Sequence, residues 1–415
     1  MVPDDGVPDD GAAAVLDATL AALVPWPQDG SRADGPVAAD ATDRLLLDEA
    51  RPYLAQAAGP GDVVVVGDRF GALTLGAVAL GAREPRAHTD ALTSERALAE
   101  NARAAAGAAV RAAVGTFGVT AHDRLEAGLV RGARLVLLQL PRSLAELQEV
   151  TELVAREASE DVVVLAGGRV KHMTHAMNDV LGASFGEVRA TRARSKSRVL
   201  VASRPLPAAR AAASSFPVTA ALADAELVAA AGLPPGSRVS VVAHGGVFAG
   251  TGLDLGTRAL LRTADRWPAA PADAVDLGCG TGLLAVVLAL RDPGTRVVAT
   301  DRSAAAVASA RATAQANGVA ERVVVLRDDA GQGEEPASAD LVLCNPPFHD
   351  RAAVSTDAAH RMFAAAGRVL RPGGELWTVY NSVLRYRPAL ERAVGRTEQV
   401  ARDARFTVTR SVRTR

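Results

Sequence analysis

Residues 341 to 348 read Leu-Val-Leu-Cys-Asn-Pro-Pro-Phe, an apolar run that ends in Asn345-Pro346-Pro347-Phe348. Two prolines fix φ and remove two backbone donors, so a strand must stop there, leaving an amide and an aromatic ring at its carboxyl end. Asn345 offers an acceptor oxygen, Pro346 offers only its carbonyl, and Phe348 offers a flat apolar face. That set suits a planar group carrying an exocyclic NH2, and in an open α/β sheet ligands bind beyond the carboxyl ends of the strands. A plain strand-ending turn is the alternative reading of a lone Pro-Pro.

A second set of residues bears on that choice. Val275-Asp276-Leu277-Gly278-Cys279-Gly280-Thr281-Gly282 leads into an apolar helix from Leu283 to Leu290. Strand, glycine-rich turn and helix start together let a backbone come close to a ligand. A dinucleotide fingerprint would need Gly or Ala three residues after Gly280, where this chain has Leu283. The next apolar run, from Val297, ends in Asp301, nineteen residues beyond Gly282, where a carboxylate can accept both hydroxyls of a ribose. A third, Val323 to Leu326, runs into Asp328-Asp329, where a carboxylate suits an adenine amino group. Each acid alone also reads as a solvated loop carboxylate; in this order, each at a strand end, they read as one site.

These motifs resemble those of class I S-adenosylmethionine-dependent methyltransferases. Asn-Pro-Pro-Phe followed by His349 is similar to the ribosomal RNA guanine-N2 methyltransferases within them. Gly246-Val247-Phe248 with Leu253-Asp254-Leu255-Gly256-Thr257 resembles the segment these enzymes carry before the glycine loop. Arg361-Met362-Phe363, then Arg371 to Leu376, then Asn381 with Leu384 and Tyr386, look closer to the large-subunit branch of the family than to the small-subunit branch. The likeness covers most of residues 240 to 412. One departure stands out: the family has basic residues after the Asn of that last motif, and this chain has Ser382 and Val383.

The resemblance implies an α/β chain of two tandem Rossmann-like methyltransferase domains, with a seven-stranded, mostly parallel sheet in the C-terminal one. It also implies S-adenosyl-L-methionine as cofactor, with Gly278, Gly280 and Gly282 admitting its amino-acid part, Asp301 its ribose and Asp329 its adenine, Asp276 supporting the loop, and Phe248 and Asp254 beside it. Asn345 and Pro346 would draw the two hydrogens of the guanine amine, with Pro347 holding the turn and Phe348 stacking on the base. The activity implied is methylation of guanine N2 in ribosomal RNA, 23S rather than 16S. A methyltransferase acting on a protein glutamine or on adenine N6 remains open, since these use similar Asn-Pro-Pro-aromatic strands, and so does a non-catalytic RNA-binding assembly factor.

The first half repeats the pattern. Val63-Val64-Val65-Val66-Gly67-Asp68-Arg69-Phe70-Gly71 matches the later loop at an offset of 211 (Gly67 to Gly278, Gly71 to Gly282), and Thr89-Asp90 falls opposite Thr300-Asp301 at the same offset. Leu135 to Pro141 parallels Leu341 to Pro347 at 206 (Gln139 to Asn345). The chain therefore reads as a duplication with a degenerate N-terminal copy: Arg69 replaces the middle glycine, and Gln139-Leu140-Pro141-Arg142 lacks the aromatic face. Two unrelated domains with ordinary glycine turns would lack that shared order.

At 415 residues the chain is long enough for two or three cores. We expect a disordered acidic tail over 1–40, a degenerate domain over 41–205, a linker with a bridging helix over 206–237 and the catalytic domain over 238–415. Residues 1–40 lack the basic start of a signal peptide, Asp17 interrupts their apolar stretch, and no run reaches the ~18 apolar residues of a membrane helix. Cys279 and Cys344, the two cysteines, exclude a disulfide framework, and no Cys/His set has zinc spacing. The expectation is a cytoplasmic monomer without metal, partnered by ribosomal RNA.

Net charge is −1, but its distribution is uneven. Arginines crowd 189–210 and the stretch from Arg385 to Arg415, and Lys171 and Lys196 are the only lysines. Guanidinium groups pair with phosphate in two-pronged fashion, so both stretches read either as RNA contacts or as solvated faces. His172 and His175 carry no assigned chemistry.

Overall fold

The computed structural model describes residues 10–25, 37–107, 118–347 and 353–414. It divides into two units, Met1–Ser215 and Phe216–Arg415. In the first, β1 (Val63–Val66), β2 (Arg86–His88), β3 (Thr120–His122), β4 (Leu135–Gln139), β5 (Val163–Arg169), β6 (Phe185–Ala190) and β7 (Ser197–Pro205) form one sheet in the order β3-β2-β1-β4-β5-β7-β6. Only the pairings of β7 with β5 and β6 are antiparallel.

The second unit contains a two-stranded sheet, β8 (Val218–Leu222) against β9 (Val239–Ala243), followed by β10 (Asp273–Leu277), β11 (Arg296–Asp301), β12 (Val323–Arg327), β13 (Ala339–Cys344), β14 (Leu370–Asn381), β15 (Thr397–Arg402) and β16 (Phe406–Val412). The last seven strands are ordered β12-β11-β10-β13-β14-β16-β15, with β16 antiparallel to its neighbours. That is the order of the first sheet position for position, and it is the seven-stranded doubly wound architecture expected for the C-terminal copy. The central strands are apolar on both faces because helices cover both: β1 is buried throughout, and so is the helix Leu283–Arg291 up to Ala289.

Two expectations about the edges of the domains are corrected. Residues 1–40 are not a tail throughout: Asp10–Ala22 form a helix whose Leu16 and Leu20 are buried in the first core. The alanines favour helix, and Asp17, which breaks the apolar run in sequence, points to solvent and pairs with Arg44 at 2.6 Å. Residues 206–237 are more than a linker, because β8 and the helix Ala225–Ala230 belong to the second unit and the division falls at Ser215. β9 is held by side chains of the helix Ala304–Ala316: Thr313 Oγ1 and Ser309 Oγ accept from Val242 N and His244 N, both at 3.0 Å. That attachment places the segment running from His244 to Asp254.

Candidate active site

The glycine loop leaves β10 with Gly278, Gly280 and Gly282 at φ +78°, +53° and +75°, a region that costs any other L-residue steric strain. Gly278 N and Cys279 N donate to Thr300 O at 2.8 and 2.9 Å, so the loop is stitched to the end of β11. A Cβ on Gly282 would lie 2.8 Å from Ala310 Cβ, and one on Gly278 would lie 2.7 Å from Met362 Cε. Gly280 has nothing within 4 Å of that position. Two glycines thus allow close packing, and the middle one opens a cradle.

Three carboxylates lie toward the carboxyl ends of β10, β11 and β12. Asp276 is buried on β10, and its Oδ2 accepts from Ala285 N at 3.0 Å in the first turn of the following helix. Burial, with the negative charge of Asp301 nearby, pushes its carboxyl up to about 7. Asp301 accepts from Gly280 N at 3.0 Å and from Ser303 N at 2.9 Å, which ties the loop to the second strand. Asp329 is buried at the end of β12, where Arg361 Nη2 approaches it at 3.5 Å. Its neighbour Asp328 accepts from Gly333 N through Oδ1, while its buried Oδ2 has no partner among the described residues. Burial pushes the Cys279 and Cys344 thiols up, so neither is a thiolate.

The acceptor side centres on Asn345. Its Nδ2 donates to Asp254 Oδ2 and to Thr257 Oγ1, both at 3.0 Å, which uses both amide hydrogens. A carboxylate partner fixes the orientation of the amide, since only the NH2 end can donate to it. Oδ1 therefore points elsewhere, and it is buried with no partner among the described residues. Asp254 caps the helix Leu255–Leu261 by accepting from Gly256 N and Thr257 N at 2.9 and 3.0 Å. The residue expected beside the cofactor is thus placed against the substrate motif. Pro346 is buried and Pro347 exposed; Phe348 lies outside the described residues. Phe248 is 56 % exposed.

Thr257, Arg361 and Met362 join this site although sequence reasoning gave them no role. All three lie inside stretches quoted for their likeness to known enzymes, but only the fold shows what they touch. Among the described residues no group of three or more His, Cys, Asp or Glu is arranged to hold a metal ion, and no helix is long and apolar enough to cross a membrane.

The corresponding place in the first unit is built differently. Gly67 and Gly71 keep positive φ, but Arg69 stands in the middle and reaches Asp40 at 3.4 Å. Asp68 is fully buried and accepts from Gly71 N, Thr74 N and Thr74 Oγ1 at 2.7–2.9 Å. Gln139 Nε2 donates to Asp43, whose carboxyl is raised to about 7 by burial and by nearby Asp68 and Asp40. Gly67 N donates to His88 O, as Gly278 N does to Thr300 O, so the residue in the place of Asp301 is Thr89. The constant offset had put Asp90 there; β1 and β2 pair one residue out of step with it.

Two family models match the chain: "RLMG N-terminal domain" over residues 22–206 and "Methyltransferase small domain" over 238–410. The chain is 38% identical to a ribosomal RNA large subunit methyltransferase G of Streptomyces avermitilis over 378 residues, covering 90% of this chain and 92% of the relative. The protein of the same name from Streptomyces coelicolor is 37% identical, covering 90% and 93%. Among solved structures, a T. Thermophilus 16S rRNA N2 methyltransferase in complex with AdoMet and guanosine superposes with a TM-score of 0.70 at 21% identity, covering 94% of each chain.

Proposed function

This chain belongs to the ribosomal RNA large subunit methyltransferase G family, and on that footing we propose that its second unit methylates the exocyclic N2 amine of a guanine in ribosomal RNA, 23S rather than 16S, using S-adenosylmethionine. The observation that carries the acceptor side is the Asn345 amide: both hydrogens are spent within the protein and a buried acceptor oxygen is left without a partner among the described residues. An unpaired buried carbonyl oxygen costs about 1–3 kcal/mol, a cost that a substrate N–H offsets. The residues present also fit the cofactor, because Gly280 leaves open space at a positive φ beside Asp301, and Asp328 and Asp329 bring buried carboxylates to the next strand end.

In this reading Gly278, Gly280 and Gly282 admit the amino-acid part of the cofactor, Asp301 accepts from its ribose, Asp329 from its adenine, and Asp276 holds the loop onto the following helix. When bound, S-adenosylmethionine supplies an already activated methyl group, so the protein's main task is alignment. Asn345 Oδ1 and the Pro346 carbonyl accept the two amine hydrogens, turn the nitrogen lone pair toward the donor and stabilise the positive charge that grows on nitrogen. The methylated amine is acidic enough to lose its proton to water, so no strong base is required. Phe348 stacks on the base once it has left its helix, a contribution of about 1–3 kcal/mol. The internal duplication supplies a second fold in cis, which supports reading the chain as a monomer, and an RNA substrate supports a cytoplasmic reading.

The test is transfer from labelled cofactor to purified 23S RNA, 16S RNA, release factors and DNA, followed by digestion to nucleosides or amino acids. The expected product is N2-methylguanosine from 23S RNA. Label in glutamine or in N6-methyladenine would overturn the assignment.

A further inference from the structure

The arginines of the C-terminal stretch are not equivalent. Asn345 lies at the carboxyl end of β13, which runs parallel to β14 with Cys344 opposite Thr378. β16 returns antiparallel with Phe406 opposite Asn381, and β15 pairs with it so that Arg402 faces Thr407. The turn Asp403–Arg405 therefore sits at the same sheet edge as Asn345 and the glycine loop. Ser382 N donates to Arg405 O at 2.8 Å, which fixes this turn beside the one that follows β14.

Toward the opposite edge three guanidinium groups are spent within the protein, while that of Arg396 is exposed. Arg371 pairs with Asp273 at 2.8 Å and Asp340 at 2.7 Å, Arg410 with Glu375 and Glu398, and Arg413 donates to the carbonyls of Arg368 and Leu370. At the site edge Arg385, Arg402 and Arg405 are exposed, with no ion pair or side-chain hydrogen bond among the described residues. The acid between two of them, Asp403, is oriented by the turn: it accepts from Phe406 N and Arg405 N, both at 2.7 Å, and these amides, with the charges of Arg262 and Arg405 nearby, hold its carboxyl below the usual range. Val383, 78 % exposed, puts an apolar side chain on the adjoining turn.

We propose that this edge is the RNA-backbone surface of the catalytic unit, with Arg402 and Arg405 contacting phosphates of the unpaired strand that carries the target guanine, and Arg385 beside them. The inference rests on the ribosomal RNA reading above. A guanidinium without an internal partner keeps its whole fork for a phosphate, and each contact releases counterions, which makes binding salt-dependent. The turn after β14 takes the ribose or base through Val383, and the β15–β16 turn takes the charge.

The experiment uses the full chain and ribosomal RNA, comparing Arg402→Ala/Arg405→Ala with wild type. We expect KM for RNA to rise about ten- to a hundredfold with kcat within about threefold, cofactor Kd unchanged, and the slope of log K against log salt to flatten by about 1.4, two single-strand contacts' worth. The double Lys variant keeps charge and should recover most of the loss. Arg396→Ala, at the far edge, should leave all four quantities alone. Unchanged KM and slope in the double Ala variant, or an equal loss in Arg396→Ala, would overturn this surface while the functional reading stands. A wild-type chain that methylates no ribosomal RNA would remove the functional reading and this surface with it.

Discussion

Both units cap the same helix start with a buried carboxylate, and they draw it from different places. In the second unit Asp276, on the strand, reaches past the loop to Ala285 N at 3.0 Å. In the first unit the matching strand residue is Val65, and the acid is Asp68 in the loop itself, accepting from Gly71 N and Thr74 N. An acid on the strand keeps the loop free for a ligand; an acid in the loop uses the same amides internally. The neighbouring changes agree: Gly280 leaves a cradle where Arg69 pairs with Asp40, and Asn345 keeps a buried oxygen without a partner among the described residues where Gln139 donates to Asp43. The polar groups at this place in the first unit are thus paired within the protein.

The hardest blow to this contrast is at the two strand-end amides. Asn345→Ala should lower methyl transfer by at least about 100-fold with cofactor affinity within about twofold, whereas Gln139→Ala should leave transfer within about twofold. Initial rates and calorimetric cofactor titrations read both, and equal effects would erase the distinction between the units. Next comes the loop. Gly280→Arg should abolish cofactor binding, because φ +53° strains any side chain and the cradle fills. The converse, Arg69→Gly, should still titrate one cofactor per chain, since Asp68 remains in place; a stoichiometry of two would show that Arg69 alone closed the first site.

The cap residues give a smaller effect on stability. Asp68→Ala should cost about 2 kcal/mol in denaturant unfolding of the first unit while cofactor affinity holds, as expected for a lost N-terminal cap. Smallest is a pH effect. Asp276 has its carboxyl raised from 3.8 to about 7, so the folded state holds this proton more tightly than the unfolded one. Its stabilising contribution is fully present below about pH 4 and is lost as pH rises through about 7. Asp276→Asn should flatten that part of the stability profile, and a profile identical to wild type would show that the carboxyl is not buried as described.

Much of the site was legible because it obeys local rules. Pro-Pro must end a strand, glycines must make the tight turn, and an acid after an apolar run must sit at a strand end. Other parts were not. The offset between the copies placed Asp90 opposite Asp301, but strand register is set by pairing across the sheet, and it put Thr89 there. The resemblance set Asp254 beside the cofactor, and the packing of its helix also brings it to Asn345, 91 residues away. The helix Asp10–Ala22 was hidden by the acidic, Pro-rich residues around it, since burial of Leu16 and Leu20 depends on a surface elsewhere in the chain.

The sequence by itself determined the duplication, the intact second loop and the damaged first one, because backbone constraints at Gly and Pro are properties of the residues themselves. Only the tertiary structure decided which atoms remain unsatisfied. Among the described residues Asn345 Oδ1 is left open because Asp254 and Thr257 take both amide hydrogens, and the Arg402 and Arg405 side chains are exposed without a hydrogen-bonded acid at their edge of the sheet. Availability of a polar group depends on its neighbours across the fold, and those neighbours come from distant points in the chain.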